Sequence, residues 1–306
     1  GSALKDKGDL DAAINSYKQA IKIKADYATA YLNMGAALTD KGELDAAIES
    51  YKQALKIKPD YAAAYLNMGA ALTDKGELDA AIESYKQAIK IKSNYADAYH
   101  NMGNALTHVK FNSPKADLSE IIVKLLDEKS YSRPSEIAPA AISLIKLDEI
   151  FQSVLKKYYT GELQKTLNES VSELSRIPLL LKLMEVCPLP DLEIEWLLTY
   201  LRSEILTNVS QLSGSKETLV FQAALALQCF TNEYIYTQTD EDTKILDDLE
   251  NIVQKNLADG QQPSPLILAC LASYKALHDY SWCHLLAVSD DLKQIEERQI
   301  SEIKKE

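Results

Sequence analysis

The chain has 306 residues, of which 46% are hydrophobic and 25% charged, and its net charge is −12. Residues 1–110 carry 14 basic and 14 acidic side chains, so residues 111–306 hold the whole negative excess. This excess argues against nucleic acid as a ligand of the second part. No apolar run approaches the roughly 18 residues of a membrane-spanning helix, and no signal peptide is recognised, so we expect a cytoplasmic protein.

A 34-residue period dominates the first part of the chain. The stretch Tyr31–Tyr61 recurs as Tyr65–Tyr95, and a partial copy over Ala3–Tyr27 precedes them. A third copy stops after Leu106. The two full copies differ at three pairs of positions: Leu55/Ile89, Pro59/Ser93 and Asp60/Asn94. Repetition at this period is typical of solenoid proteins.

Each copy contains two helical patterns. In the full copies the apolar residues recur at helical spacing, as in Tyr31, Met34, Ala37 and Leu38 of the first pattern and Ala47, Ile48, Tyr51, Ala54 and Leu55 of the second. We expect Asp26 and Asp60 to cap the first helices and Gly42 to adopt a left-handed turn. Gly35 is small enough to let two helices approach closely. One such hairpin cannot bury its apolar surface alone, so we expect a stacked solenoid with a groove.

The pattern resembles the tetratricopeptide repeat (TPR). The matching residues are Tyr31, Met34, Gly35, Leu38, Ala47, Tyr51, Ala54 and Pro59, then Tyr65, Met68, Gly69, Leu72, Ala81, Tyr85 and Ala88. We therefore expect an all-α protein with a TPR solenoid over residues 1–110, of about three and a half repeats with the first truncated. The resemblance implies a module that binds a protein or an extended peptide and does not catalyse.

Three asparagines recur at one position of the first helices. In TPR proteins these helices line the concave face, and Asn33, Asn67 and Asn101 each lie two residues after the signature tyrosine. A carboxamide both donates and accepts hydrogen bonds, so it can pair with a peptide backbone. The arrangement resembles the asparagine ladder of the O-GlcNAc transferase superhelix. The alternative is that these asparagines are simply solvated polar residues. The full predicted groove set is Asn33, Asn67, Asn101, Asn104, His100, Thr39 and Thr73.

The other known use of a TPR groove is a basic clamp for a C-terminal carboxylate. The positions that would supply cations are Leu32, Ala36, Leu66, Ala70 and Asp97, so this use is not expected. A separate lysine stripe is interpreted as a solvated edge with no interleaved aromatic side chains. Its members are Lys22, Lys24, Lys56, Lys58, Lys90 and Lys92.

From Ala116 the sequence stays helical but loses its period. Residues 111–306 are therefore predicted to be an acidic α-helical domain that folds as an irregular bundle. Helical spacing recurs over Leu118–Leu126, Ile142–Leu155, Leu163–Leu174, Leu179–Val186, Leu192–Leu212, Leu219–Tyr236, Ile245–Leu257 and Pro265–Leu277. Breaks are expected at Gly161, Pro188–Pro190, Gly214, Thr239–Asp240 and Gly260–Pro265.

No motif for catalysis or cofactor binding stands out in this second part. It has no glycine-rich phosphate loop and neither a GxSxG nor an HExxH sequence. His278, Cys283 and His284 lack a fourth metal ligand at a standard spacing. Since the four cysteines form no close pair, they are interpreted as buried thiols. We expect no cofactor and no metal.

A polar cluster keeps a rival hypothesis open. Asn232, Glu233 and Trp282 lie at helix ends in the sequence pattern and would line a ligand-binding or enzymatic pocket. Polar groups there more often satisfy helix ends and loops. A second rival is a scaffold that forms homo-oligomers by stacking its repeats.

Residues 116–300 carry a second resemblance. PLLLKLMEVCPLPDLEIEWLLTYLR and FQAALALQCFTNEYIYTQTDEDTK are similar to the segment before the S-adenosylmethionine domain of bacterial TPR-containing methyltransferases. The glycine-rich loop and alternating strands of that domain are not in this sequence. The resemblance implies a non-catalytic region that recruits a protein substrate or partner for a methyltransferase.

Overall fold

A computed structural model describes residues 1–128, 132–287 and 292–299. Throughout these residues the secondary structure is helical, with no β-strand, so the predicted all-α class is confirmed. The chain forms two compact units. The first comprises residues 1–110 with 128 and 132–133, and the second comprises residues 111–127 with 134–287 and 292–299.

Helical hairpins build the first unit. Its helices are α1 (Ser2–Asp6), α2 (Leu10–Ile23), α3 (Ala28–Asp40), α4 (Leu44–Ile57), α5 (Ala62–Lys75), α6 (Leu78–Ile91) and α7 (Ala96–Leu106). Each helix packs against the next along the chain, and α3, α5 and α7 also contact one another in sequence. This is a stack of hairpins in which the first helices form one layer and the second helices another.

Local sequence explains where the repeat helices stop and start. Gly42 and Gly76 follow the first helices with φ of 82° and 83°, so the predicted left-handed turn at Gly42 is confirmed. The predicted aspartate caps are wrong. The N-cap residues of α3 and α5 are Tyr27 and Tyr61, one position after Asp26 and Asp60, and neither cap forms a side-chain hydrogen bond.

Close packing inside each hairpin depends on a glycine facing a tyrosine. A Cβ atom on Gly35 would lie 2.5 Å from Cε1 of Tyr51, and Gly69 and Tyr85 repeat this distance. Tyr51 and Tyr85 are each 1% exposed. The glycines are therefore required because each tyrosine ring occupies the space of the missing side chain.

The second unit is an irregular bundle around one buried helix. Its helices are α8 (Ala116–Asp127), α9 (Pro134–Ile145), α10 (Glu149–Tyr159), α11 (Leu167–Leu174), α12 (Pro178–Val186), α13 (Leu192–Thr207), α14 (Lys216–Thr231), α15 (Asp240–Ala258), α16 (Pro265–Ala272) and α17 (Lys293–Gln299). Short 3₁₀ turns lie at Leu163–Thr166, Leu277–Asp279 and Cys283–Leu285. Helix α14 is buried along Phe221–Cys229 and packs against α11, α12, α16 and α17.

One helix that the sequence predicts in this unit is divided into two helices in the structure. The apolar spacing over Ile142–Leu155 continues through a break at Asp148, which caps α10 by accepting hydrogen bonds from the backbone N–H groups of Ile150 and Phe151. Apolar periodicity misses this break because both helices bury the same kind of face. Within the described ranges, no helix is long and apolar enough to cross a membrane.

Candidate peptide-binding groove

Asn33, Asn67 and Asn101 occupy equivalent places on α3, α5 and α7. All three side chains are partly exposed. No hydrogen bond to another described residue engages any of the three carboxamides, in contrast to Thr39, Thr73 and Asn104. Since the three helices contact one another in order, the amides form a row of unused donors and acceptors along the first-helix layer.

The predicted groove hydroxyls are already engaged within their own repeats. Thr39 Oγ1 donates to the Gly35 carbonyl oxygen at 3.0 Å and lies 3.1 Å from the Tyr51 hydroxyl. Thr73 forms the same two contacts with Gly69 and Tyr85, at 2.9 and 3.0 Å. Burial raises the pKa of both tyrosines, and the threonine hydrogen bonds oppose this effect. These threonines hold the hairpin together and have little hydrogen-bonding capacity left for a ligand.

The third copy presents a more polar face than the first two. His100 and Asn104 are exposed on α7, and His100 Nε2 lies 3.3 Å from Asn104 Nδ2. Asp97, one turn before, is also exposed. At the positions of His100 in the first two copies, Leu32 and Leu66 are partly exposed. At the positions of His100 and Asn104, the layer of first helices is thus apolar on α3 and α5 and polar on α7.

The lysine stripe does contain aromatic side chains, contrary to the sequence interpretation. Lys58 Nζ lies 4.7 Å from the centroid of the Tyr61 ring, and Lys92 Nζ lies 4.4 Å from that of Tyr95. The pair Lys24 and Tyr27 repeats the contact at 5.7 Å. The K-x-x-Y spacing was the available signal. The contacts join the end of each second helix to the start of the next first helix, which suits a structural role.

Two of the three residues of the rival pocket in the second unit have separate hydrogen-bond partners. Asn232 Nδ2 donates to the Tyr236 hydroxyl at 2.9 Å, whereas Trp282 Nε1 donates to Glu250 Oε1 at 3.2 Å. Glu233 is exposed, with a φ of 52° at the end of α14. Asn232 and Trp282 therefore have hydrogen bonds within the fold.

Sequence reasoning missed a buried guanidinium in the second unit. Arg202 is 3% exposed, and its charge lies 4.1 Å from the Tyr274 ring centroid and 5.2 Å from that of Tyr236. It donates to the carbonyl oxygens of Thr237 at 2.7 Å and Ser273 at 3.4 Å. The residue links α13 to two loops, and an arginine within an apolar helix was the only sequence signal.

Several other titratable groups of this unit also have structural explanations. Lys146 binds Glu193 at 2.8 Å and Asp191 at 3.1 Å, and its hydrogen bond lowers the pKa of Glu193. Burial raises the pKa of Cys187 to about 11. His278 Nδ1 contacts the backbone oxygen of Gln299. Among the described residues, no group of three or more His, Cys, Asp or Glu side chains could hold a metal ion.

Comparison with known families identifies the repeats. A family model of the TPR repeat matches residues 1–39, 35–73 and 69–107. The first unit therefore consists of TPR repeats, as the sequence pattern predicts. No curated protein matches the chain.

Solved structures with similar chains include two of MamA and one of YrrB. The MamA structures are 23% and 24% identical, cover 57% and 56% of this chain and 92% and 90% of their own, and give TM-scores of 0.33 and 0.38. YrrB, described as a TPR protein with an unusual peptide-binding site, is 17% identical, with coverages of 82% and 95% and a TM-score of 0.31. Since all three TM-scores are below 0.5, none of these structures bears on the groove residues.

Proposed function

We propose that the first unit binds an extended segment of a protein along the layer formed by α3, α5 and α7. The observation that carries this proposal is the row formed by Asn33, Asn67 and Asn101, whose carboxamides are partly exposed and have no partner among the described residues. An extended peptide presents backbone N–H and C=O groups that carboxamides can pair with, whatever its side chains are. The TPR repeats themselves support a role in protein binding.

The test is selection from a random peptide display library on the intact protein. The variant replaces Asn33, Asn67 and Asn101 with Ala. Each lost hydrogen bond costs about 0.5–1.5 kcal/mol, so we expect at least about tenfold weaker binding of the selected peptides. The readout is the dissociation constant of those peptides, measured with the wild-type protein and the variant.

The matched control replaces three exposed carboxamides that lie outside the first helices: Asn15, Gln19 and Asn94. We expect it to bind the selected peptides like the wild-type protein. A peptide methylated at its backbone nitrogens should bind weakly, since it cannot donate to the asparagines. Equal binding by the wild-type protein and the Asn33, Asn67 and Asn101 variant would overturn the proposed function.

We further propose that the bound segment belongs to a partner or substrate of a methyltransferase joined to this region in the parent protein. The support is the resemblance of residues 116–300 to the segment that precedes the catalytic domain in bacterial TPR-containing methyltransferases. The two units described above would then be a non-catalytic recruiting region in a reducing, cytoplasmic compartment. The natural gene tests this: a reading frame that encodes no methyltransferase domain would contradict the link.

A further inference from the structure

The internal duplication reveals which positions of the first-helix layer have diverged. Between Ala62–Leu72 and Ala96–Leu106, three positions differ: Ala63/Asp97, Leu66/His100 and Ala70/Asn104. Between the copies on α3 and α5, over Ala28–Leu38 and Ala62–Leu72, the single difference is Thr29/Ala63. Only one position varies in both comparisons, because 29, 63 and 97 are equivalent, whereas the positions of Leu66 and Ala70 change only on α7.

The three diverged residues of α7 lie on one face. Asp97, His100 and Asn104 are spaced by three and four residues, which places them together along the helix and around Asn101. All three are exposed. The unchanged residues Tyr99 and Met102 are 2% and 0% exposed. Divergence has thus altered the exposed face and left the packed face as it was.

The three differences between α5 and α7 are not explained simply by the position of α7 at the end of the repeats. An end repeat exchanges apolar residues for polar ones where a neighbour would otherwise bury them. Leu66 and Ala70 are already partly exposed on α5, inside the stack. The residues of α7 with the least exposure, such as Met102 and Leu106, keep their apolar character. The changes therefore alter what the exposed face offers to a ligand.

The electrostatics of this face are asymmetric. Asp97 forms no ion pair or hydrogen bond with any described residue. The equivalent positions on α3 and α5 are Thr29 and Ala63, and neither carries a charge. An exposed carboxylate without a counter-charge attracts a lysine or arginine side chain and penalises an acidic one. The apolar surface around Leu32 and Leu66 instead suits small or apolar side chains.

We propose that the segment bound by the first unit carries a lysine or arginine side chain where it lies along α7, and small or apolar side chains along α3 and α5. This inference rests on the proposed function, because it concerns the same surface. Asp97 recognises the cation, and the exposed Asn104 offers an uncharged amide on the same face. The asparagine row contributes to affinity, whereas the diverged face determines which sequences bind.

Two reciprocal variants test the proposal. The reversion variant carries Asp97→Ala, His100→Leu and Asn104→Ala, which restores the α5 sequence on α7. The transplant variant carries Ala63→Asp, Leu66→His and Ala70→Asn, which places the polar face on α5. Both use side chains that the repeat already accommodates at equivalent positions, and circular dichroism verifies that each variant is helical.

The experiment selects a random dodecapeptide display library on each intact protein. We expect Lys and Arg to be enriched several-fold at one fixed position with the wild-type protein and not with the reversion variant, which still binds peptides. Peptides selected by the transplant variant should carry Lys or Arg at a second position, at a constant spacing from the first. The Asp97→Asn substitution should weaken the binding of a selected peptide about tenfold. It should weaken binding less when norleucine replaces the lysine of that peptide.

The outcomes separate this inference from the proposed function. If peptides bind through the three asparagines without a basic position, the inference is wrong and the proposed function stands. Enrichment of Lys and Arg at a fixed position in peptides selected by the reversion variant would also overturn the inference. If the wild-type protein retains no peptide at all, the proposed function fails and the inference fails with it.

Discussion

At the scale of single residues, each of the two full TPR hairpins is organised by a contact among three residues. In the second full copy, the Tyr85 ring fills the space beside Gly69, and its hydroxyl lies 3.0 Å from Thr73 Oγ1. Tyr51, Gly35 and Thr39 repeat the arrangement. A buried polar group that is hydrogen-bonded in this way stabilises one ring position. The tyrosine therefore fixes how closely the two helices of a hairpin approach.

We predict that Gly69→Ala destabilises the first unit. A Cβ atom would lie 2.5 Å from Cε1 of Tyr85, which is 1% exposed. The overpacking costs about 1–3 kcal/mol, which outweighs the gain of up to about 1 kcal/mol in helix propensity. Chemical denaturation followed by circular dichroism measures the difference.

The double variant Gly69→Ala/Tyr85→Leu provides the control for this prediction. Removing the ring relieves the clash, so the double variant should lose less stability than the sum of the two single variants. Additive losses would show that Gly69 is required for some reason other than the Tyr85 ring.

At the scale of elements, one aspartate decides that α9 and α10 are separate helices. Apolar spacing runs through Ile142–Leu155, but Asp148 Oδ1 accepts hydrogen bonds from Ile150 N at 2.9 Å and Phe151 N at 3.1 Å. Asp148 has extended backbone angles, with φ −71° and ψ 131°. The chain therefore turns at this residue and starts a new helix that buries Phe151.

We predict that Asp148→Ala destabilises the second unit by about 1 kcal/mol, because two backbone N–H groups lose their acceptor. The midpoint of urea denaturation measures the effect. The matched control is Asp248→Ala on α15, where the carboxylate is exposed and has no hydrogen-bond partner among the described residues. This control should change stability by less than about 0.5 kcal/mol. Equal losses in the two variants would contradict the capping role.

At the scale of the whole molecule, the second unit contains several buried thiol and phenol groups. Burial raises the pKa of Cys187 from 9.0 to about 11, and raises the pKa values of Cys229 and Cys270 to about 12. Tyr236 is raised to about 12 for the same reason. Because the folded state favours the protonated forms, their stabilising effect is complete below about pH 9. It is lost as the pH rises from about 9 towards the raised pKa values.

We predict that the thermal midpoint of the second unit falls steadily above about pH 9. Calorimetry between pH 7 and 11 measures it, under reducing conditions that keep the thiols free. Cys187→Ala should reduce the slope of the thermal midpoint against pH over pH 9–11, since it removes one group with a raised pKa. The control is Tyr27→Phe, which changes an exposed side chain of the first unit and leaves the thiols and phenols of the second unit as they are. A midpoint that is constant to pH 10.5 would contradict the prediction.

The sequence by itself determined the all-α class and the TPR repeats. It also indicated the left-handed turn at Gly42 and the close approach at Gly35. These features follow from spacings of 3.6 and 34 residues and from glycine's lack of a side chain, all of which are local properties of the chain. The same duplication placed Asn33, Asn67 and Asn101 at equivalent positions, although binding by these residues remains a prediction.

Only the tertiary structure decided which polar groups are available to a ligand. It showed that Thr39 and Thr73 bond to tyrosines of their own repeats, whereas the three asparagines have no partner among the described residues. It also placed lysines over tyrosine rings and Asp148 at a helix start. Sequence spacing could not reveal this, because a hydrogen bond depends on which neighbours the folded chain brings within about 3 Å.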